Sequence, residues 1–200
     1  MKRILVLLLL FLLIFMTSAL AFDGKRKGFV LGGRFGVAPM ARWSAEYQGL
    51  EFDENRTGFG LNWVIGYGWD EYNIAILETN DIFYQSDILH LSSIRQGFLG
   101  PAWYHYFGPP GRSFFSVIGI GVCTFHSSGS YFRICWGCEP EPPTPPSPSA
   151  ARGVGYLIGS GYEFARHFQI AGYLSGGHTS EHETSYVNTH ITILLSDISF

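Results

Sequence analysis

Along Thr57 to Trp69, TGFGLNWVIGYGW, large apolar residues alternate with mostly small ones without a break. Phe59, Leu61, Trp63, Ile65, Tyr67 and Trp69 fall on one face of an extended strand. Gly58, Gly60, Asn62, Val64, Gly66 and Gly68 fall on the other, because successive strand side chains point to opposite sides. GFVLGGRFGV repeats the split, with Phe29, Leu31, Phe35 and Val37 against Gly32, Arg34 and Gly36. RGVGYLIGSGYEF repeats it again, with Val154, Tyr156, Ile158, Tyr162 and Phe164 against Gly153, Gly155, Gly159, Gly161 and Glu163. A helix needs apolar positions three and four apart, and none of these segments has them over a useful length.

The pattern predicts eight strands, near residues 28–38, 56–69, 71–84, 94–107, 113–125, 152–165, 167–179 and 187–200. Tight turns are expected at Trp69 to Glu71, Gly108 to Arg112 and Ala165 to His167. Residues 38–55, 85–93, 126–151 and 180–186 read as longer, more polar loops. Strands joined alternately by short turns and long loops make an all-β fold, an eight-stranded antiparallel up-and-down barrel.

Alternation does not say which face looks inward, since a soluble lipocalin-like barrel and a membrane barrel carry opposite arrangements. Composition separates them. Charged residues make up 14% of the chain and aromatic residues 16%, whereas soluble domains carry about 25% charge. Aromatic residues also gather near strand ends: Tyr67, Trp69 and Tyr72; Trp103, Tyr104, Tyr106 and Phe107; Tyr162, Phe164 and Phe168. That is the distribution of an interfacial girdle. The large apolar faces are therefore expected to meet lipid, making the barrel transmembrane. Arg34, Asn62, Glu163 and Gln169 are expected to face a crowded polar interior that plugs the lumen. In the third strand Tyr72, Ile74 and Ile76 are expected on the apolar outer face; Glu78, Asn80 and Asp81 then require a strand end near Leu77 or a bulge.

Residues 1–21 have a basic start, an apolar run and small residues at Ala19 and Ala21, and read as a cleaved secretory signal peptide. This leaves one domain at 22–200. The net charge of −3 is spread along the chain, and no basic stretch suits nucleic acid. The final strand, THITILLSDISF, stops on Phe200, and such an ending resembles the C-terminal signature of outer-membrane β-barrel proteins of diderm bacteria. Gly28 to Phe200 resembles the small eight-stranded outer-membrane barrel superfamily, which includes the outer-membrane protein A and protein W types. The resemblance implies an outer-membrane monomer with long loops extracellular and termini periplasmic. It further implies contacts with membrane lipid and lipopolysaccharide, and insertion by the barrel assembly machinery with Phe200 as the signal.

Candidate chemistry concentrates in GGHTSEHETSY, Gly176 to Tyr186. Period-two counting places His178 and Ser180 on the lipid-facing side of one strand, near the long loops. His178-Thr179-Ser180 resembles the His-x-Ser motif of the lipid A 3-O-deacylase family, whose members are also eight-stranded barrels. That resemblance implies Ser180 as nucleophile, His178 as general base and Glu181 or Glu183 as the orienting carboxylate. Glu181 stands where the family has Asn, the family's Glu falls near Thr192, and Asn188 matches a family Asn. Because the motif is half met, the preferred expectation is a non-enzymatic barrel with an envelope-structural or surface-loop binding role. No cofactor is expected, and no metal, since His178 and His182 would share a face only on a helix. In the loop 126–151, Cys135 and Cys138 are expected to form a local disulfide or an inert pair, followed by stiff polyproline from Pro140 to Pro148.

Overall fold

A computed structural model of the chain describes residues 25–88, 93–128, 149, 151–181 and 184–200. The signal sequence, Glu183, Cys135, Cys138 and the proline run lie outside the described residues. The strands are β1 (Gly28–Tyr47), β2 (Leu50–Gly68), β3 (Asn73–Thr79), β4 (Ile82–Gln85), β5 (Ser93–Tyr106), β6 (Ser113–Ser128), β7 (Ala151–Glu163), β8 (Phe168–Glu181) and β9 (Thr184–Ser199). Each pairs antiparallel with its neighbours, and β9 returns to β1 to close the ring. Both β3 and β4 lie between β2 and β5, and Val64↔Glu78 and Gly60↔Ile82 share one register. They are two halves of one strand, so the nine segments fill eight places in the barrel.

Two expected loops are largely strand. β1 runs on to Tyr47 and β2 begins at Leu50; the intervening Gln48 and Gly49 both have positive φ, at 53° and 76°, the requirement of a two-residue type I′ hairpin. The pattern was lost in the sequence because β1 carries a bulge between Ala38 and Ala41, at Pro39 and Met40. Proline has no N–H to give the ladder, and the extra residue swaps the faces beyond it. Arg34 and Ala38 point inward before the bulge; Ala41, Trp43 and Ala45 point inward after it. Likewise 180–186 is the tip of a β8–β9 hairpin in which Glu181 pairs with Thr184.

The third strand needs a correction as well. Ile74 and Ile76 are buried inside the barrel with Glu78, while Ala75 and Leu77 face out and Tyr72 is exposed. The strand neither stops at Leu77 nor shifts register; it is interrupted at Asn80 and Asp81 and resumes.

The outer wall is a continuous apolar belt. It takes in Phe29 to Val37 of β1, Phe59 to Trp69 around β2, Phe114 to Val122 of β6 and Ile191 to Leu195 of β9. Ile120 is 67% exposed and Val154 71% exposed, values that water would penalise and hydrocarbon would not. The eight steps from Phe114 to Val122 rise about 26 Å along the strand at ~3.3 Å per residue, or about 20 Å along the barrel axis at a usual tilt of ~40°.

The interior is layered. Nearest the short turns, Val30, Val64, Ile74, Tyr104, Phe115 and Tyr173 belong to one packed apolar cluster. Nearest the opposite end, Trp43, Ile82, Phe125 and Tyr186 belong to another. Along β9 the inward residues pass from Tyr186 through Asn188, His190 and Thr192 to Leu194, so a polar layer separates the two clusters.

Candidate functional site

At the end of the barrel with the short turns, Arg26 closes the mouth. It precedes β1, is fully buried, and its Nε donates to Glu163 Oε2 at 2.9 Å. Its Nη1 donates to the carbonyls of Glu71 and Gly108 at 2.9 and 2.8 Å, and its Nη2 to that of Pro109 at 3.1 Å. The guanidinium also lies 3.8 Å from the centroid of the Tyr106 ring. One side chain thus ties together two turns and the end of β7. Glu163 in addition accepts the Gly111 N–H, in the turn between β5 and β6, and Gln169 Nε2 donates to Tyr106 Oη at 2.8 Å.

Deeper in, Arg34 pairs with Glu78, both buried, and Glu78 accepts from Tyr104 Oη at 2.7 Å. The Arg34 guanidinium sits 5.3 and 5.2 Å from the Tyr104 and Tyr173 ring centroids. Above it, Asn62 Nδ2 donates to Asn80 Oδ1 at 3.0 Å, and Asn80 Nδ2 to Ser175 Oγ at 3.2 Å. His190 Nε2 is 2.7 Å from Ser175 Oγ and 3.2 Å from the Asn80 carbonyl oxygen. These bonds cross the lumen and join β2, the β3–β4 break, β8 and β9.

Arg34, Asn62, Glu163 and Gln169 therefore all lie inside, but in three separate groups. Their partners Arg26, Glu78, Asn80, Tyr104, Tyr106 and Ser175 were not identified from the sequence as an interior network. Glu78 carried a usable signal: it shares strand parity with Ile74 and Ile76, so burying those two residues buries the acid with them. Arg26 carried none, because its acceptors are mostly turn carbonyls that become neighbours only when the ring closes.

On the outer wall, His178 and Ser180 are both exposed, two residues apart on one face of β8. Among the described residues no hydrogen bond joins them. His178 is flanked by Val154 and Val187, and Ser180 by Arg152 and Ser185. Glu181 turns to the backbone N–H of Ser149 at 2.7 Å and to the Ser149 hydroxyl. Thr192 and Asn188, the positions matched to the deacylase pattern, are buried in the lumen, and Asn188 Nδ2 donates to Thr179 Oγ1 at 3.2 Å. Neither can reach His178 through the wall. Phe200 is also buried, with its ring 6.5 Å from that of Tyr106 in an edge-on contact.

No protein-family model matches the chain, and no curated protein does. Solved structures do. The neisserial surface protein A aligns with a TM-score of 0.52 at 10% identity, over 87% of this chain and 98% of that one. The outer membrane protein OprG of Pseudomonas aeruginosa gives 0.46 at 12% identity, over 88% and 98%. The attachment invasion locus protein of Yersinia pestis gives 0.46 at 11%, over 85% and 99%. At these identities the likeness to the neisserial protein is one of fold: a small eight-stranded barrel of the outer-membrane kind.

Proposed function

We propose that the chain is an outer-membrane β-barrel of a diderm bacterium that does not conduct, and that it serves the envelope through its outer wall and its extracellular rim. The carrying observation is the pairing of a continuous apolar belt outside with ion pairs and packed aromatic residues filling the inside. A belt of this kind suits hydrocarbon, and a lumen crossed by Arg26, Arg34, Glu78 and Glu163 leaves no open water path at their levels. The envelope role includes contact with membrane lipid and lipopolysaccharide. Glu181, one of the two carboxylates the motif would draw on, is instead engaged with Ser149, which supports a non-enzymatic reading.

The test is reconstitution. The full chain, refolded into phosphatidylglycerol-containing vesicles, should gain β-sheet circular dichroism and resist external protease within the strands. In planar bilayers it should show no single-channel steps. Stable steps would sink the closed-lumen reading; failure to enter the bilayer would sink the barrel reading itself.

One observation keeps a lipid A esterase in view, namely the outward, adjacent placement of His178 and Ser180. Mass spectrometry of lipid A from cells carrying wild-type or Ser180→Ala protein decides it. A deacylated species present with wild type and lost with S180A would establish the enzyme, while identical acylation with folded barrel present would exclude it.

A further inference from the structure

Immediately below the exposed end of β7, the outer wall holds an apolar groove of about 640 Å³, lined among others by Trp103, Ile118, Ile120, Val154, Tyr156 and Ile158. Its upper end is Val154. Two residues above, on the same face of β7, stands Arg152, exposed. Thr124 of β6 pairs with Arg152 on one side and Ser180 of β8 on the other, with Ser185 of β9 next in the row. Four outward residues on four adjacent strands thus offer one guanidinium and three hydroxyls along a single line.

What distinguishes Arg152 is its lack of an acid. The other two outward arginines near this rim are paired: Arg42 with Asp53 at 2.8 Å and Arg95 with Asp81 at 2.7 Å. Among the described residues Arg152 has no ion pair, and the hydroxyls of Thr124, Ser180 and Ser185 make no hydrogen bond. A guanidinium fork beside hydroxyl donors matches the oxygens of a phosphate. An apolar trough running down from it, in the part of the wall that the belt assigns to hydrocarbon, matches an acyl chain.

We propose that this row and groove form a binding site for a phosphate-bearing lipid, with the phosphate on Arg152, Thr124 and Ser180 and one acyl chain along Val154, Ile120, Tyr156 and Ile158. His178, opposite Val154 on β8, borders the site where headgroup meets chain. Its role and that of Ser180 are then recognition of a headgroup. The proposal rests on the barrel reading above, which puts this wall in lipid.

The test uses the full chain folded in neutral detergent micelles, with bound lipid read by native mass spectrometry. Phosphatidylglycerol and phosphatidylcholine of identical acyl chains are offered in competition, with and without excess inorganic phosphate. Wild type should retain phosphatidylglycerol in preference, and Arg152→Gln should lower that preference about fivefold, the weight of one basic residue at an anionic membrane surface. Arg95→Gln, removing an already paired arginine, should leave the preference in place. Val154→Trp, filling the groove, should reduce retention of both lipids. A folded wild-type barrel with no preference, or an R152Q barrel that keeps it, overturns the site; so does displacement of the lipid by inorganic phosphate, which would make the row a bare anion site. A chain that gains no β-sheet signal in micelles fails at the barrel reading instead.

Discussion

Arg26 and Glu163 are 137 residues apart in the chain and meet at 2.9 Å inside the barrel mouth. Both are fully buried. The contact links the segment before the first strand to the end of β7, three places round the ring through β9 and β8, while the same guanidinium holds carbonyls of two turns. It is therefore a closure contact: it can form only when every strand between has found its neighbour.

Removing one side of it should cost more than removing both. A buried charge stripped of its partner is destabilising by about 3 to 5 kcal/mol, whereas a matched apolar replacement of the pair can be close to neutral. Arg26→Met should thus lower the urea midpoint of the folded barrel in vesicles, as should Glu163→Leu. The double variant should lie well above the sum of the two losses. Strict additivity in that cycle would show that the two residues act independently.

Arg34 and Glu78 invite the same comparison with a different expectation for rescue. Tyr104 donates to Glu78 and stacks near Arg34, so the pair belongs to a network with two tyrosine rings. Glu78→Gln keeps hydrogen-bonding groups near Tyr104 and Arg34 but leaves the cation unbalanced; Glu78→Gln should be destabilised by about 3 kcal/mol or more. Tyr104→Phe, losing a hydrogen bond to a charged group, should lose about 1.5 to 3 kcal/mol. Thermal unfolding followed by gel migration of unheated samples ranks the two variants, and equal losses would argue against a dominant ion pair.

How much of this was legible in the sequence depends on what each face must do. Arg34, Asn62, Glu163 and Gln169 stood out because they replace glycine or small residues opposite large apolar ones. Glu78 did not, because the lumen of so narrow a barrel is also packed with Ile, Val and Tyr, and in β3 apolar residues occupy both faces. Trp43 was hidden by the bulge at Pro39, although a proline inside an alternating stretch is itself a sign of a bulge or an edge. The outward placement of His178 and Ser180 followed from period-two counting along an uninterrupted β8. Their surroundings did not follow, since Arg152 and Ser185 become neighbours only through the register of β7 and β9.

Gly36 and Gly33 separate space from propensity on one strand. Gly36 lies in β1 between β9 and β2, and a Cβ there would run into the Ile193 carbonyl of β9. Gly33 points outward, and a Cβ there meets nothing within 4 Å. Gly36→Ala must push the closing seam apart and should lose about 1 to 3 kcal/mol, as overpacked sites do. Gly33→Ala should stay within about 0.5 kcal/mol of wild type. Refolding yields in vesicles read both, and an indifferent Gly36→Ala would mean that the β1–β9 seam is looser than the register implies.

Glu54 lies on β2 above the apolar belt, which begins at Phe59, and anchors the segment after β4. It accepts from Trp43 Nε1 at 2.8 Å, the Asp87 N–H at 2.8 Å, Arg56 Nε at 3.0 Å and the Ser86 hydroxyl. Burial alone would push its carboxyl up, but these donors, Ser86, Asp87, Trp43 and Arg56, outweigh burial and hold it below the ordinary value. A carboxyl depressed in the folded state contributes stability that is fully present above its unfolded pKa and is lost as pH falls through the folded one. The gap in urea midpoint between wild type and Glu54→Gln should therefore be widest near neutral pH and shrink steadily below the ordinary carboxylate range. A gap that widens on acidification would mean that burial, not hydrogen bonding, governs this group. The loss should also be local at first, with protease reaching residues 86–88 before the barrel unfolds, because the carboxylate's donors come from that segment as well as from β1 and β2.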